Sequence, residues 1–427
     1  MAESRPLRAD HWYYSFCTPD TSQYGMSRDH DDMRWREDAV VAVTSLREAA
    51  LETRATETVP LDHLSGRTLA ASIVVDEAVP AHDRATMDGY AFDATDEYPL
   101  SVRDGEVFPE SDPPSLDRGQ AVEIATGAPL PAEANAVVKR EEATVEDGEL
   151  RGTQLDPGTY TYERGSNVQA GEQLFDAGER LTAKDAILLQ DLGHEQVQVR
   201  ERFSTGLLAT GTEIHEGRQD DLDSPMLASL VRSWGHGVTY EGTTPDEYET
   251  VRGEIEGLTR RHDVVVTTGG TSVGHKDYVV RALQDLGEVA FHRVRIRPGK
   301  PIAVAEVGDA VAFAIPGKPL GAYTASTLVM RPFFTGRTDL PVREATLTSD
   351  VGLGPEGYEY AVPVVLNDGE AIPLGHPDSP LTVYQETFDP SVLSSTTRAT
   401  RADGFVPTTS ALSAGQAVDV VRSASLE

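Results

Sequence analysis

The sequence has one cysteine and no long apolar run, and both absences exclude classes of protein. With Cys17 alone, the chain can form no internal disulfide and no metal site built from several cysteines. No apolar stretch approaches the length of a membrane span, and the polar residues 1–10 lack the apolar core of a signal peptide. We therefore expect a cytoplasmic protein that does not act at a membrane.

Positive charge is also scarce, because 37 basic residues stand against 70 acidic ones and leave a net charge of −33. The acidic residues are spread along the whole chain, so the surface should repel nucleic acid and acidic membranes. Such a surface suits high salt, where the Debye length falls to about 3 Å at 1 M. We therefore expect a halophilic, archaeal source. An acidic mesophilic protein with a cationic partner would instead concentrate its charge in one region.

The most informative stretch is residues 263–278, which read DVVVTTGGTSVGHKDY and predict a strand, a loop and the start of a helix. Three consecutive valines are typical of a strand buried on both faces, as in a parallel sheet. Glycines then allow a tight turn and a close approach of a ligand to the backbone. Free N–H groups beside a helix start form an anion site. The residues expected to bind an anionic ligand here are Thr268, Gly269, Gly270, Ser272 and Gly274.

Asp277 follows this loop and lies just inside the predicted anion site. A carboxylate beside a phosphate is unfavourable unless a cation lies between them. The pattern therefore indicates Mg²⁺ bridging Asp277 to a phosphate or oxyanion. An ordinary loop between a strand and a helix, with an exposed aspartate, has the same local sequence.

Two further segments carry candidate site residues on irregular loops. Asp83 and Asp88 lie five residues apart before a turn at Gly89, where they could help to hold a hard cation or simply form a hydrogen-bonded turn. Thr126 is exposed by the rigid turn TGAPLP at residues 126–131.

From residue 203 onward, apolar strands alternate with amphipathic helices, which predicts a parallel sheet with helices on both faces. Ligands of such a sheet bind at the carboxyl ends of its strands. Glu213, residues 268–277, Lys300 and Lys318 all follow predicted strands. We therefore expect them to meet at one edge of the sheet and to bind a large anionic ligand together with Mg²⁺.

The remaining segments have weaker patterns. Residues 92–164 and 337–427 show short apolar alternations between turn residues, which predict two small β modules. The three leucines at positions 61, 64 and 69 suggest a helical piece within residues 59–71, and Ser224 before Pro225 predicts a helix N-cap. Residues 1–32 predict a mobile acidic N-terminal extension.

Taken together, the motifs resemble those of a known family, the molybdopterin molybdenumtransferases, called MoeA in bacteria and the E-domain of gephyrin in animals. The resemblance extends from about residue 35 to the C-terminus. Its motifs are DRATMDGYA (83–91), TGAPLP (126–131), TGTE (210–213), TTGGTSVG (267–274) with Asp277, PGKP (298–301) and IPGKP (315–319).

The resemblance implies an α/β and β multidomain subunit with four parts. An elongated domain would combine residues 33–82 and 165–202, and a β module of residues 83–164 would be inserted in it. Residues 203–336 would form a MogA-like parallel α/β domain that binds molybdopterin, and residues 337–427 a C-terminal β module. The family also implies a homodimer, with each active site between the α/β domain of one subunit and the inserted module of the other.

The activity implied by the resemblance is hydrolysis of adenylylated molybdopterin with release of AMP, and insertion of molybdate or tungstate into the dithiolene with the help of a divalent metal. Asp88, Glu213 and Asp277 are the implied metal-binding and catalytic acids. Thr126 would lie on the inserted module's face of the site. Lys300 would bind molybdate or phosphate, with Lys318 nearby.

Some residues depart from the family pattern. Asn167 stands where aspartate is usual, Pro225 and Lys318 where asparagine is usual, and Gly321 where serine is usual. Asn167 supplies no charge, and Lys318 adds one. These departures favour an alternative, a non-catalytic molybdopterin-binding or scaffold paralogue that uses the same cleft. A third interpretation, a molybdopterin adenylyltransferase, is disfavoured because that activity usually needs the α/β domain alone.

Overall fold

A computed structural model of the chain describes residues 33–270, 277–377 and 379–427. The extension predicted for residues 1–32 lies outside these ranges. The described residues build three six-stranded sheets and three two-stranded ones. No helix within these ranges combines the length and the apolar character that a membrane crossing requires.

The central sheet contains the valine-rich strand Val264–Thr268. Val264 and Val266 pack into the core on one face, and Val265 packs into the core on the other. The six strands of this sheet, in spatial order, are Gly237–Thr244, Ser204–Thr210, Val264–Thr268, Ala310–Ile315, Ala303–Val307 and Glu288–His292. The α-helices that follow these strands are Thr212–His215, Asp223–Ser233, Tyr248–Thr259, Tyr278–Leu286, Pro319–Ala325 and Arg331–Thr335, with a π-helical turn at Ser326–Met330. Helices cover both faces, as the alternation predicts.

The first four strands are parallel, but the last two are antiparallel to their neighbours, which differs from the predicted all-parallel sheet. The reason is local. Gly308 and Asp309 connect Ala303–Val307 to Ala310–Ile315, and a two-residue connection can only make an antiparallel hairpin. Strand Ala303–Val307 therefore begins at the edge where the parallel strands end.

The first helix, Arg36–Thr53, packs on this α/β core. Its residues Ala39, Val43 and Leu46 share a hydrophobic cluster with Phe333 and Phe334. The elongated part next to it contains the antiparallel pairs Thr56–Pro60 with Gln196–Arg200 and Ile73–Val74 with Gln173–Phe175, and the helix Asp185–Asp191.

The helical piece predicted within residues 59–71 is wrong. Thr56–Pro60 is a strand paired with Gln196–Arg200, and only the 3₁₀ turn Leu61–His63 follows. Gly66 has a φ of +77°, a value that does not occur within a right-handed helix. Leu64 and Leu69 lie in irregular segments, and their side chains are buried. Pairing with a distant strand overrides the local leucine pattern.

Two β modules complete the chain. In spatial order, the sheet of the inserted module contains Ala136–Lys139, Gly89–Phe92, Gln120–Ile124, Leu100–Val107, Glu149–Arg151 and Thr144–Glu146, and the pair Arg84–Ala85 with Thr161–Tyr162 lies beside it. In spatial order, the C-terminal sheet contains Ile296–Arg297, Glu359–Asn367, Glu370–Pro373, Val342–Leu347, Ala417–Arg422 and Gly404–Thr408. Among the described residues, Ala417–Arg422 is the last strand along the chain. Because Glu359–Asn367 also pairs with Gly404–Thr408, the last five strands close into a barrel.

Asp263 joins the first helix to the start of the central sheet. Its carboxylate accepts hydrogen bonds from the Ser204 amide and hydroxyl, both at 2.7 Å, and from the Arg54 guanidinium. Replacing Asp263 with alanine should lower the free energy of unfolding by roughly 1–3 kcal/mol, because three donors lose a charged acceptor. Urea denaturation followed by tryptophan fluorescence measures the change. Asp309→Ala, in the exposed turn after Gly308, is the control. Equal losses in the two variants would contradict the assigned role.

Candidate functional site

A cavity of about 570 Å³ opens at the carboxyl edge of the central sheet. Its walls come from the loops that follow the four parallel strands, from the loop that precedes Ala303–Val307, and from the C-terminal module. The lining residues that carry the argument are Thr210, Glu213, Asp223, Asp246, Thr268, Gly269, Gly270, Arg297, Lys300, Lys318 and Ser391. The structure thus brings Glu213, Thr268, Gly269, Gly270, Lys300 and Lys318 together, where the sequence predicts that they meet.

Glycines allow the loops at this edge to approach each other. Gly269 and Gly270 have φ angles of +88° and +65°. A Cβ on Gly269 would lie 2.7 Å from the Thr210 carbonyl oxygen, and a Cβ on Gly317 would lie 3.0 Å from the Gly269 Cα atom. Side chains at these positions would push the three loops apart and widen the floor of the cavity.

Gly269 does not bind an anion through its amide, because that N–H donates to the Ile315 carbonyl at 3.0 Å. The predicted part of Gly269 in ligand binding stays a prediction, and the structure gives this glycine a conformational role at the edge of the cavity. Ser272 and Gly274, which are predicted to bind the same ligand, lie outside the described residues.

Hydrogen bonds between neighbouring strand ends hold the floor of the cavity. The Thr210 hydroxyl donates to the Thr268 carbonyl at 3.1 Å, and the Gly211 amide donates to the Thr244 carbonyl at 3.1 Å. Thr212 and Asp246 form a reciprocal pair, in which each backbone amide donates to the side chain of the other, at 3.3 and 3.0 Å. This pair fixes Asp246 at the mouth of the cavity beside Glu213.

Asp223 is the most buried carboxylate on the cavity wall, with 6% of its surface exposed. The Thr268 hydroxyl donates to its Oδ2 atom at 3.2 Å, whereas Oδ1 is buried without a hydrogen-bond partner among the described residues. Burial raises the pKa of Asp223 to about 6, and the bond from Thr268 opposes that rise. The side chain is thus poised to accept a hydrogen bond from a ligand.

The predicted N-cap at Ser224 is wrong, because the helix begins at Asp223 and Ser224 lies within its first turn. The Ser224 amide instead donates to the side chain of Asp221 at 3.0 Å. Pro225 lies at the third helical position. A backbone N–H at this position has no acceptor within the helix, so the missing N–H of proline does not disturb the helix.

Asp277 precedes the helix Tyr278–Leu286 and is not among the described residues that line the cavity. Its Oδ1 atom is buried without a hydrogen-bond partner among the described residues. Burial raises the pKa of Asp277 to about 6, while the Val280 amide and the positive charge of Arg293 oppose the rise. A buried carboxylate oxygen without a donor is suited to a cation or to a ligand proton.

Asp88 and Thr126 lie in the inserted module, and neither is among the residues that line the cavity in this chain. Asp88 accepts hydrogen bonds from the Thr126 amide and hydroxyl, both at 2.7 Å, and these bonds lower the pKa of Asp88. The two predicted residues therefore form one exposed, preorganised pair. The structure keeps this pair in a different module from Glu213 and Lys300.

The basic wall of the cavity depends on the C-terminal module. Strand Ile296–Arg297 pairs with Glu359–Asn367, and the Arg297 guanidinium stacks on the Tyr358 ring with 4.1 Å to the centroid. The Lys318 ammonium donates to the Ser391 carbonyl at 3.1 Å. Lys318 thus joins the α/β domain to the short helix Pro390–Leu393 of the C-terminal module, which also lines the cavity, a role that the sequence does not indicate.

Asn167, the other charge-changing departure from the family pattern, lies outside the cavity. Its side-chain amide donates to Asp191 at 3.1 Å, on the exposed surface of the elongated part. Nothing in this arrangement connects Asn167 to the chemistry of the cavity.

Sequence reasoning missed five charged cavity residues, namely Asp220, Asp221, Asp223, Asp246 and Arg297. Asp246 follows the strand Gly237–Thr244, and Arg297 is the last residue of Ile296–Arg297, so the rule that located Glu213 and Lys300 could have found them. Asp223 carries no such signal, because an aspartate before a helix has the pattern of an ordinary cap.

No group of three or more histidine, cysteine, aspartate or glutamate side chains is arranged to hold a metal ion in the part of the chain that the structure describes. Mg²⁺ usually binds one or two carboxylates together with ligand phosphates and water, so it does not need such a group. The orphaned oxygen of Asp277 and the carboxylate of Glu213 are donors of the kind that Mg²⁺ prefers.

Comparison with known proteins gives two matched regions. Residues 37–193 match a family model described as the MoeA N-terminal region (domain I and II), and residues 206–336 match one described as a probable molybdopterin binding domain. A molybdopterin molybdenumtransferase of Synechococcus elongatus is 30% identical over 309 residues, which span 67% of this chain and 77% of that protein. One of Haemophilus influenzae is 30% identical over 293 residues, 65% of this chain and 72% of that protein.

A solved structure agrees with these matches. The molybdopterin biosynthesis MoeA protein of Pyrococcus horikoshii superposes with a TM-score of 0.71 at 28% sequence identity, and the match covers 92% of this chain and 99% of that one. The fold of the described residues is therefore that of a MoeA protein, including its several sheets.

The buried carboxylate of Asp223 should make stability depend on pH. Because its pKa is raised to about 6, the folded protein keeps this proton at a pH where the unfolded chain has lost it, so unfolding becomes easier as the pH rises from 4 to 6. Asp223→Asn removes that dependence. We take the free energy of unfolding of the variant minus that of the wild type. This difference should rise by roughly 1–3 kcal/mol between pH 4 and pH 7.

Urea denaturation at a series of pH values measures this difference. Asp309→Asn in the exposed turn controls for the general effect of removing one negative charge. A difference between wild type and Asp223→Asn that does not change with pH would show that Asp223 does not titrate in this way.

Proposed function

We propose, because this chain belongs to the molybdopterin molybdenumtransferase family, that it hydrolyses adenylylated molybdopterin, releases AMP and inserts molybdate or tungstate into the dithiolene. The single observation that carries the proposal is the cavity at the carboxyl edge of the central sheet, where basic residues and carboxylates meet around one space. Such a space fits a ligand that carries phosphates and a second, donor-rich end.

The basic wall supplies the anion site. Arg297 and Lys300 lie on the loop before Ala303–Val307, and both line the cavity. The stack of Arg297 on Tyr358 fixes the guanidinium plane, so little side-chain freedom is lost when an oxyanion binds. These two cations would hold the phosphate of molybdopterin or the incoming molybdate.

The hydrolytic step would break the phosphoanhydride bond of the adenylylated substrate. A water oxygen bonds to one phosphorus atom, the bridging P–O bond breaks, and AMP leaves while molybdopterin keeps its own phosphate. Glu213 faces the cavity and can take the proton from that water. Insertion then forms two bonds from the dithiolene sulfurs to molybdenum, and one oxo group of molybdate leaves as water with the two thiol protons.

Mg²⁺ is the divalent ion that this substrate would bring, and Asp277 and Glu213 are its proposed protein ligands. When bound, it neutralises charge on the phosphates and polarises the bond that breaks. In an acidic chain the ion also reduces repulsion between the phosphates and the carboxylates of the cavity. The Oδ1 atom of Asp277 is available to bind this ion, because it has no hydrogen-bond partner among the described residues.

The pair of Asp88 and Thr126 would join the cavity from a second copy of the chain. This homodimer is proposed because the two residues are exposed, mutually hydrogen-bonded and absent from the cavity of their own chain. Their rigid arrangement is suited to contact the adenylate or the metal across a subunit interface.

Turnover is the direct test. The purified protein, given adenylylated molybdopterin, molybdate and Mg²⁺ in high salt, should release AMP and yield a cofactor that activates an apo-molybdoenzyme. Asp277→Asn should lower AMP release by at least about a hundredfold with an unchanged fold, because it removes the charge that holds the metal. Asp285→Asn, an exposed residue on the same helix, is the matched control. Binding without turnover would support the non-catalytic alternative, and wild-type rates in Asp277→Asn would refute the metal role.

Complementation tests the shared site. Asp88→Asn and Glu213→Gln should each be inactive alone. When the two are refolded together, half of the dimers should be mixed and one of the two sites in each should be intact, so about a quarter of wild-type AMP release should return. Separately refolded proteins combined afterwards are the control. No recovery in mixed dimers, with heterodimer formation verified by mass spectrometry, would mean that the site does not span two subunits.

A further inference from the structure

The acidic and the basic lining residues of the cavity lie on opposite sides of the central strand Val264–Thr268. Its described acidic lining residues all come from loops on one side, after Ser204–Thr210 and Gly237–Thr244, whereas its described basic lining residues come from the other side. The acidic set is Glu213, Asp220, Asp221, Asp223 and Asp246, and the basic set is Arg297, Lys300 and Lys318. Since adjacent strands lie about 4.8 Å apart and the centres of the two sets are about three strands apart, the two sets are centred roughly 14 Å from each other. A ligand that spans the cavity must carry an anion at one end and hydrogen-bond donors or positive charge at the other.

Asp223 differs from its acidic neighbours because it is buried and incompletely paired. Asp221 uses both carboxylate oxygens, accepting from the Ser224 amide at 3.0 Å and from the Tyr240 hydroxyl at 3.1 Å. Asp223 uses only Oδ2, which accepts from Thr268, and its buried Oδ1 has no partner in the described ranges. A buried carboxylate oxygen is costly unless a donor reaches it, and Asp223 is a lining residue of the cavity.

Two adjacent N–H groups that point in the same direction would match the two oxygens of one carboxylate, because each oxygen can accept two hydrogen bonds. The 2-amino-4-oxopyrimidine ring of a pterin presents such a pair, from its ring N3 and its 2-amino group.

We propose that Asp223 accepts this pair of hydrogen bonds and so fixes the orientation of the pterin, with the ring at the acidic end of the cavity and the phosphate at the basic end. The proposal rests on the proposed function, because it takes a pterin as the ligand. It adds a specificity-determining residue, since Asp223 selects a donor–donor edge and rejects an acceptor at the same place. Thr268 positions the carboxylate by donating to Oδ2.

The test compares two probes that differ at the 2-position of the ring and in the protonation of the adjoining N1. 6-Hydroxymethylpterin phosphate carries the 2-amino group, and 6-hydroxymethyllumazine phosphate carries a carbonyl there instead. By calorimetry in high salt, the wild type should prefer the pterin by about tenfold to a hundredfold, because the lumazine places an acceptor against a buried carboxylate. Asp223→Asn should reduce the preference to less than about threefold, since an amide can pair with either edge. Lys300→Gln should weaken both probes by a similar factor.

Asp309→Asn is the matched control, because it removes the same charge in an exposed turn outside the cavity and leaves Asp223 unchanged. It should keep the wild-type preference. Circular dichroism checks the fold of each variant, and Thr268→Val, which only frees the carboxylate to rotate, should give an intermediate preference.

Three results would overturn the proposal: equal affinity of the wild type for both probes, no binding of either, or a full preference retained in Asp223→Asn. These results are separate from a failure of the proposed function. If the preference is present and depends on Asp223 while AMP release is absent, the pterin site stands and the reaction does not.

Discussion

The site depends on the backbone register of four parallel strands. Thr210 lies opposite Thr244, Ala209 lies opposite Thr268, and Thr268 lies opposite Ile315, so the strands end within about one residue of each other. Main-chain hydrogen bonds set this alignment, and it determines where the side chains of the cavity lie. Each loop that leaves this edge therefore starts beside its neighbours, whatever its length. The cavity is a consequence of sheet pairing, and the loops decide only its chemistry.

The antiparallel hairpin adds to this edge instead of interrupting it. Because Ala303–Val307 runs opposite to the parallel strands, its first residues lie where the others end, with Ala303 opposite Ala314. The loop that carries Arg297 and Lys300 reaches the cavity for this reason. A parallel strand at the same place would have delivered its preceding loop to the far edge of the sheet, away from the ligand.

Much of this arrangement could be predicted from the sequence, since three valines followed by Thr-Thr-Gly-Gly contain both the buried strand and the turn after it. The hairpin differs from the predicted parallel sheet, because the two-residue turn at Gly308 and Asp309 forces an antiparallel connection that the alternation of strands and helices does not reveal. The role of Asp223 could not be predicted, since its burial and its open oxygen result from packing against Thr268, far away along the chain. Residues 59–71 show the opposite case, where a local leucine pattern was misleading because a distant strand pairs with that segment.

The C-terminal barrel takes an additional edge strand from the α/β segment, since Ile296–Arg297 pairs with Glu359–Asn367 immediately before the basic loop. Lys318 and Leu320 make further hydrogen bonds to Ser391 and Ser394. As a result, the barrel cannot swing as a rigid body without pulling Arg297 along. Any displacement of this outer wall would therefore also reshape the basic side of the cavity.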